Sequence, residues 1–308
     1  MVSDALAALA EANRPEQFTI METATSLLAA SPAVTHLMIR GSFAAGTSDR
    51  LSDVDLVVGI READYGDFVA ACDALVASEL GQILPGWPDT IVPDFGGLGY
   101  VHLIQHAQML YQLDLYLAPS CRIEEITTRT RGRLLYAAPT TPAPAEPASA
   151  AAAFIAERRQ AAPTAEQLVV ELLVLAWMIR KRIVRAQRFM AYQEAHQFTT
   201  AARDLVRTAL SPNTTYLGWY HLEEAVGATP IGRSCLRLLG DLAQKPPIPT
   251  AASLLDMLDL ALDLARQAAP EVVADLQIPI DTYRHYLDGP AHLSPRHVAS
   301  RGTVRACT

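Results

Sequence analysis

Residues 40–60, RGSFAAGTSDRLSDVDLVVGI, decide the reading of this chain. A short apolar strand, Thr35 to Arg40, leads into a Gly-Ser turn at Gly41 and Ser42. A second strand from Asp53 to Ile60 then opens on two aspartates, Asp53 and Asp55. Residues i and i+2 of a strand share a face, so the two carboxylates stand side by side. Val54, Leu56, Val57 and Val58 anchor that strand in a core. Like charges held so close repel unless a cation lies between them or one takes a proton. A hard divalent cation with oxygen ligands, Mg²⁺ above all, suits them. The small residues Gly41, Ser42, Ala44, Ala45 and Gly46 let backbone amides approach a phosphate.

The pattern resembles that of the nucleotidyltransferase superfamily related to DNA polymerase β: a Gly-Ser turn, a gap, then Asp-apolar-Asp on a strand. Ten residues separate Ser42 from Asp53. The resemblance implies a third carboxylate from a later strand. Residues 109–117, MLYQLDLYL, are a β-type run with one acid, Asp114. A charge inside an apolar strand is costly to bury without a partner. Metal coordination, or accepting the proton of an attacking hydroxyl, would explain it, and the sequence leaves both roles open.

The remaining organisation supports an α+β fold, an N-terminal mixed-sheet core followed by an all-helical domain. Helices are expected at Gln17–Ala30 and Asp64–Leu80, a loop at Pro85–Gly99, and a hairpin of Gly99–Ile104 with Met109–Leu117. Arg122–Leu135 reads as helical. Residues 137–150, AAPTTPAPAEPASA, with four prolines, mark a linker between a catalytic domain at 1–136 and a helical substrate-binding domain at 151–290. In that domain a long helix spans Thr164–Arg188, with further helices at Thr199–Leu210, Thr214–Val226, Ile231–Ala243 and Ala251–Gln267, and short ones at Glu271–Leu276 and Asp281–Leu287. A frayed tail is expected at 291–308.

This order of features resembles the aminoglycoside 6-adenylyltransferase branch, also called streptomycin adenylyltransferase. The likeness is carried by Gly41-Ser42, Asp53/Asp55, the LDLYL strand with Asp114, the acidic helix start at Glu124-Glu125, and the Arg180-Lys181 region. Membership would imply transfer of AMP from ATP to an antibiotic hydroxyl with release of pyrophosphate, and a role in antibiotic resistance. Asp53, Asp55 and Asp114 would hold two Mg²⁺ ions, with Asp114 as alternative general base. Gly41, Ser42 and Arg40 would meet the nucleotide phosphates, with Thr47, Ser48 and Arg50 weaker candidates. Lys181, one of only two lysines, falls with Arg185 and Arg188 on one helix face and would reach the triphosphate.

For a polycationic acceptor, Glu124, Glu125, Glu166, Glu171, Glu194, Glu223, Glu224, Trp177, Trp219 and Tyr220 are available, each more often an ordinary surface or core residue. His102 and His106, near the Asp114 strand, read as structural. Other acceptors stay open: a different natural-product intermediate, or a protein or tRNA as in toxin–antitoxin systems. A net charge of −8 disfavours general nucleic-acid binding. No apolar run approaches the roughly 20 residues of a membrane span, and no signal-peptide core is apparent, so a cytoplasmic protein is expected. Cys72, Cys121, Cys235 and Cys307 are too dispersed for a disulfide framework or zinc site.

Overall fold

The computed structural model describes residues 15–139 and 149–288. Six strands form one mixed sheet: β1 (Val34–Ile39), β2 (Val54–Ile60), β3 (Trp87–Pro88), β4 (Leu98–His106), β5 (Met109–Pro119) and β6 (Arg133–Ala137). Their order is β3-β4-β5-β2-β1-β6. The β2–β5 pair is parallel and every other pair is antiparallel. Parallel neighbours need a long crossover. Here it contains α3 (Tyr65–Leu80), β3 and β4.

Strand alternation sorts the side chains. Val54, Leu56, Val58 and Ile60 of β2 and Leu113, Leu115 and Leu117 of β5 face the core beneath α1 (Glu16–Ala29) and α3. Val57, Tyr116, Ala118 and Met38 turn to the other face, under Ile123 and Ile126 of α4 (Ile123–Thr130). By the same period of two, Asp55, Gln112 and Asp114 belong to that second face. Just before β2, α1 also fixes the approach to it. The amide nitrogen of buried Gln17 donates to the carbonyls of Asp49 (3.2 Å), Arg50 (2.9 Å) and Ser52 (3.3 Å).

The C-terminal part is helical. After α5 (Ser149–Gln160) come α6 (Ala165–Val184), α7 (Arg188–Leu210), α8 (Leu222–Val226), α9 (Pro230–Ala243), α10 (Ala251–Ala268), α11 (Pro270–Asp275) and α12 (Gln277–Asp288). Thr164 and Gln167 close a reciprocal capping box at the start of α6, and Thr250 with Ser253 does the same for α10. The helices share a core with the sheet edge, where Leu84, Trp87, Val101, Leu103 and Leu110 join the buried face of α6 and α7. Ala151 and Ile155 of α5 pack with the α1/α3 layer, and Phe154 meets Tyr65 edge-on at 6.1 Å.

Several expected elements are corrected. Arg122–Leu135 is not one helix: α4 ends at left-handed Arg131 (φ 53°), and residues 133–137 pair with β1 instead. The 164–188 helix stops at Val184, because Ala186 adopts φ 55° and turns the chain into α7. Thr214–Val226 is a 3-10 stretch, Pro212–Leu217, and the short α8. Most of the Pro/Ala segment (140–148) and the tail (289–308) lie outside the described residues, and α5 already begins at Ser149. Among the described residues no single helix is long and apolar enough to cross a membrane.

The β4–β5 hairpin turns on Ala107 (φ 47°) and Gln108 (φ 59°), both in the left-handed region that Asn-Gly fills with less strain. Replacing them together, Ala107→Asn with Gln108→Gly, should stabilise the protein by about 1 kcal/mol. The urea midpoint measures it; a lower midpoint would contradict the turn geometry.

Candidate active site

The site starts where β1 ends. Arg40 is extended (φ −125°), and Gly41 then takes φ +66°, opening a one-turn helix, α2 (Gly41–Ala45), that ends at Gly46 (φ +69°). The expected Gly-Ser turn is therefore the first turn of this short helix. Gly41 is required twice over. Its φ is left-handed, and a Cβ there would lie 2.2 Å from Asp55 Oδ2. At Gly46 the φ is similar, but nothing lies within 4 Å.

The loop from Thr47 to Ser52 is closed by its own side chains. Asp49 Oδ1 accepts from the Leu51 amide (2.9 Å) and the Ser52 hydroxyl (3.0 Å), and the Asp49 amide donates to Ser52 Oγ (2.8 Å). Arg185, the residue after α6, donates to both Asp49 oxygens. This loop delivers Asp53 at a fixed position just before β2.

Three carboxylates then converge. Asp55 and Asp114 are register partners across the parallel β2–β5 pair. Burial pushes Asp55 up to about 6, partly opposed by the Arg40 guanidinium and reinforced by Asp53. Asp114 is raised well above the carboxylate range, first by burial and then by the charges of Asp53 and Asp55. Arg40 Nη2 lies 3.5 Å from Asp55 Oδ1. Asp53 is engaged differently: its Oδ1 receives the ammonium of Lys181, a side chain only 2% exposed. Lys181 also donates to Gln112 Oε1 (2.6 Å), and Gln112 Nε2 donates to Asp114 Oδ1 (2.8 Å).

Beside these acids is a cavity of about 390 Å³ lined by Ser42, Thr47, Asp49, Ser52, Asp53, Asp55, Arg185 and Gln187. It offers the hydroxyls of Ser42 and Thr47 and a guanidinium to an anion, next to carboxylates suited to a cation. The raised proton affinity of Asp55 and Asp114 is the strain a divalent ion would relieve. In that sense the pair fits Mg²⁺. Among the described residues, however, no three His, Cys, Asp or Glu side chains are arranged to hold a metal.

The structure thus brings together Arg40, Gly41, Ser42, Asp53, Asp55, Asp114 and Lys181. Other candidates fall elsewhere. His102 lies on the α3 side, its Nδ1 2.8 Å from Gln82 Oε1, with burial pushing it down to about 4. His106 pairs with Glu16 at 3.3 Å. Glu125 is spent on Arg122 and Arg129. Trp219, Glu223 and Glu224 line a separate cavity of about 360 Å³. Arg188, past the turn at Ala186 that ends α6, starts α7 exposed to solvent, so the Lys181–Arg185–Arg188 stripe does not form. Sequence reasoning missed Gln112, Asp49 and Arg185 as partners. Gln112 was findable, being two residues before Asp114 on the same strand face.

No family model matches the chain, and neither does any curated protein. Among solved structures it is similar to a nucleotidyltransferase-like protein from Exiguobacterium sibiricum 255-15, with 14% identity over 87% of this chain and 77% of that one, at a TM-score of 0.20.

Two predictions follow from the packing and the charges. Gly41→Ala should cost well over the ~1–2 kcal/mol of a left-handed alanine, and Gly46→Ala only about that amount; equal losses in thermal unfolding would remove the Gly41–Asp55 contact from the account. Asp55 holds its proton more tightly folded than unfolded. It therefore favours unfolding increasingly as pH rises from about 4, the unfolded carboxylate value, through about 6. In EDTA, Asp55→Asn should gain stability over the parent across that window and keep the gain at pH 7.5. A variant less stable than the parent at pH 7.5 would contradict the assignment.

Proposed function

We propose that this chain is a Mg²⁺-dependent nucleotidyltransferase of the aminoglycoside 6-adenylyltransferase type. It would move a nucleoside monophosphate, AMP from ATP, to a hydroxyl of an aminoglycoside-type antibiotic and release pyrophosphate. The observation that carries the reading is the register of Asp55 against Asp114, with Asp53 at the mouth of the same strand, beside a cavity rich in hydroxyls. The proposed architecture is a catalytic domain at 1–136, a linker at 137–150 and a helical acceptor-binding domain at 151–290. ATP as donor suits a cytoplasmic enzyme.

Nucleotidyl transfer is an in-line displacement. The acceptor oxygen bonds to the α-phosphorus, the bond to the bridging oxygen breaks, and pyrophosphate leaves. The protein's task is alignment and charge stabilisation. The Ser42 and Thr47 hydroxyls with Arg185 would bind the phosphate oxygens, and Gly41 keeps the backbone close to them. Asp55 and Asp114, with Asp53 adjacent, would hold Mg²⁺. When bound, the ion supplies positive charge to the transferring phosphoryl group. Asp114 is alternatively the proton acceptor: the Gln112 N–H occupies Oδ1, which leaves Oδ2 either to hold the ion or to take the proton of the acceptor hydroxyl.

The acceptor class is supported by the overall negative charge, which suits a polycation better than a nucleic acid. The test is to incubate the protein with each nucleoside triphosphate, Mg²⁺ and a panel of aminoglycosides, and to follow pyrophosphate and acceptor mass. Pyrophosphate with a one-nucleotide mass gain on an aminoglycoside is expected. A nucleotide adduct on protein or tRNA would reassign the acceptor, and no pyrophosphate with any acceptor would sink the proposal. Asp114→Asn should lower turnover by about 10²–10⁴-fold while the circular dichroism spectrum is unchanged. Near-parental turnover would remove Asp114 from the chemistry.

A further inference from the structure

Lys181 leaves α6 near its C-terminal end, from a helix whose residues 168–170 and 172–179 are buried. Its ammonium is enclosed and donates to two oxygens, Asp53 Oδ1 and Gln112 Oε1. An ammonium has only donors to offer and an ionised carboxylate only acceptors. Gln112, between Lys181 and Asp114, is therefore held in one orientation, oxygen toward the lysine and nitrogen toward Asp114. Withdrawing Lys181 would strand the buried Gln112 carbonyl and leave Asp53 without its counter-ion, and each loss is costly away from water.

The other acids nearby are matched in the same way. Asp49 has Arg185, Asp55 has Arg40, and Glu194 has Arg182 at 2.8 Å. Asp114 and Asp89 are held by uncharged donors instead, Asp114 by the amide of Gln112 and Asp89 by the backbone amides of Ile91 and Val92. A first divalent ion has a place beside Asp55 and Asp114. A second would need Asp53 as a ligand, and that oxygen already carries a positive charge in a setting that resists its removal.

We infer that Lys181 stands permanently in the place of the second cation, so that the site takes one divalent ion rather than the two expected from three carboxylates. The inference rests on the nucleotidyl-transfer reading and fixes how that reading is realised in this chain. Lys181 then acts as a positioning residue for Asp53 and, through Gln112, for Asp114.

The test counts ions without turnover. Mn²⁺ is titrated into the full chain saturated with α,β-methylene-ATP, and free Mn²⁺ is read by electron paramagnetic resonance. One Mn²⁺ per chain is expected for the parent and two for Lys181→Met, which removes the competing charge at similar length. Two ions in the parent would overturn the inference and leave the nucleotidyltransferase reading standing. One ion in a Lys181→Met variant that folds by circular dichroism would also overturn it. If that variant fails to fold, the parent count decides alone. No Mn²⁺ and no retained nucleotide would overturn the inference and the reading beneath it together.

Discussion

Two carboxylates on adjacent parallel strands are forced into one small volume. The constraint comes from register: β2 and β5 pair with Asp55 opposite Asp114, and Leu56, Leu113 and Leu115 lock both strands into the core on the opposite face. Slipping either strand by one residue would turn those leucines outward. The acids therefore cannot separate, and the surrounding structure answers their repulsion. Arg40 approaches Asp55, Gln112 donates to Asp114, and Lys181 neutralises Asp53. Gly41 is bare because Asp55 occupies the space its Cβ would need.

The helical part completes this arrangement. One helix, α6, supplies both a large share of the C-terminal core and the lysine that meets Asp53. Arg185 at its end reaches the Asp49 loop, so the helix grips the site at two points. Because the sheet edge at Trp87, Val101 and Leu103 belongs to the same core, the position of Lys181 is set by packing. A substitution deep in α6 could thus shift the charge balance at Asp53 without touching the site.

Much of this was legible in the residues. The Asp53/Asp55 pair, Asp114 in an apolar run and the Gly-Ser approach depend on strand periodicity and local spacing, which sequence states directly. The helical C-terminal region was readable for the same reason. The failures were non-local. Residues 133–137 become a strand only because the edge of β1 is there to pair with them. The 164–188 helix breaks at Ala186, for which its composition gave no sign. The partnership of Lys181 with Asp53 joins residues 128 apart in sequence, and a lysine on a basic helix face looks the same whether it meets a phosphate or a carboxylate.

We propose that Asp55 and Asp114 form a cation seat beside a cavity that takes the nucleotide. Crystals grown with Mn²⁺ and a non-hydrolysable nucleoside triphosphate would test it most directly, through the anomalous signal of the metal. The account predicts a peak within coordination distance of both carboxylates, with the triphosphate running past Ser42 toward Arg185. A nucleotide bound elsewhere, or a bound nucleotide with no peak between Asp55 and Asp114, would contradict it.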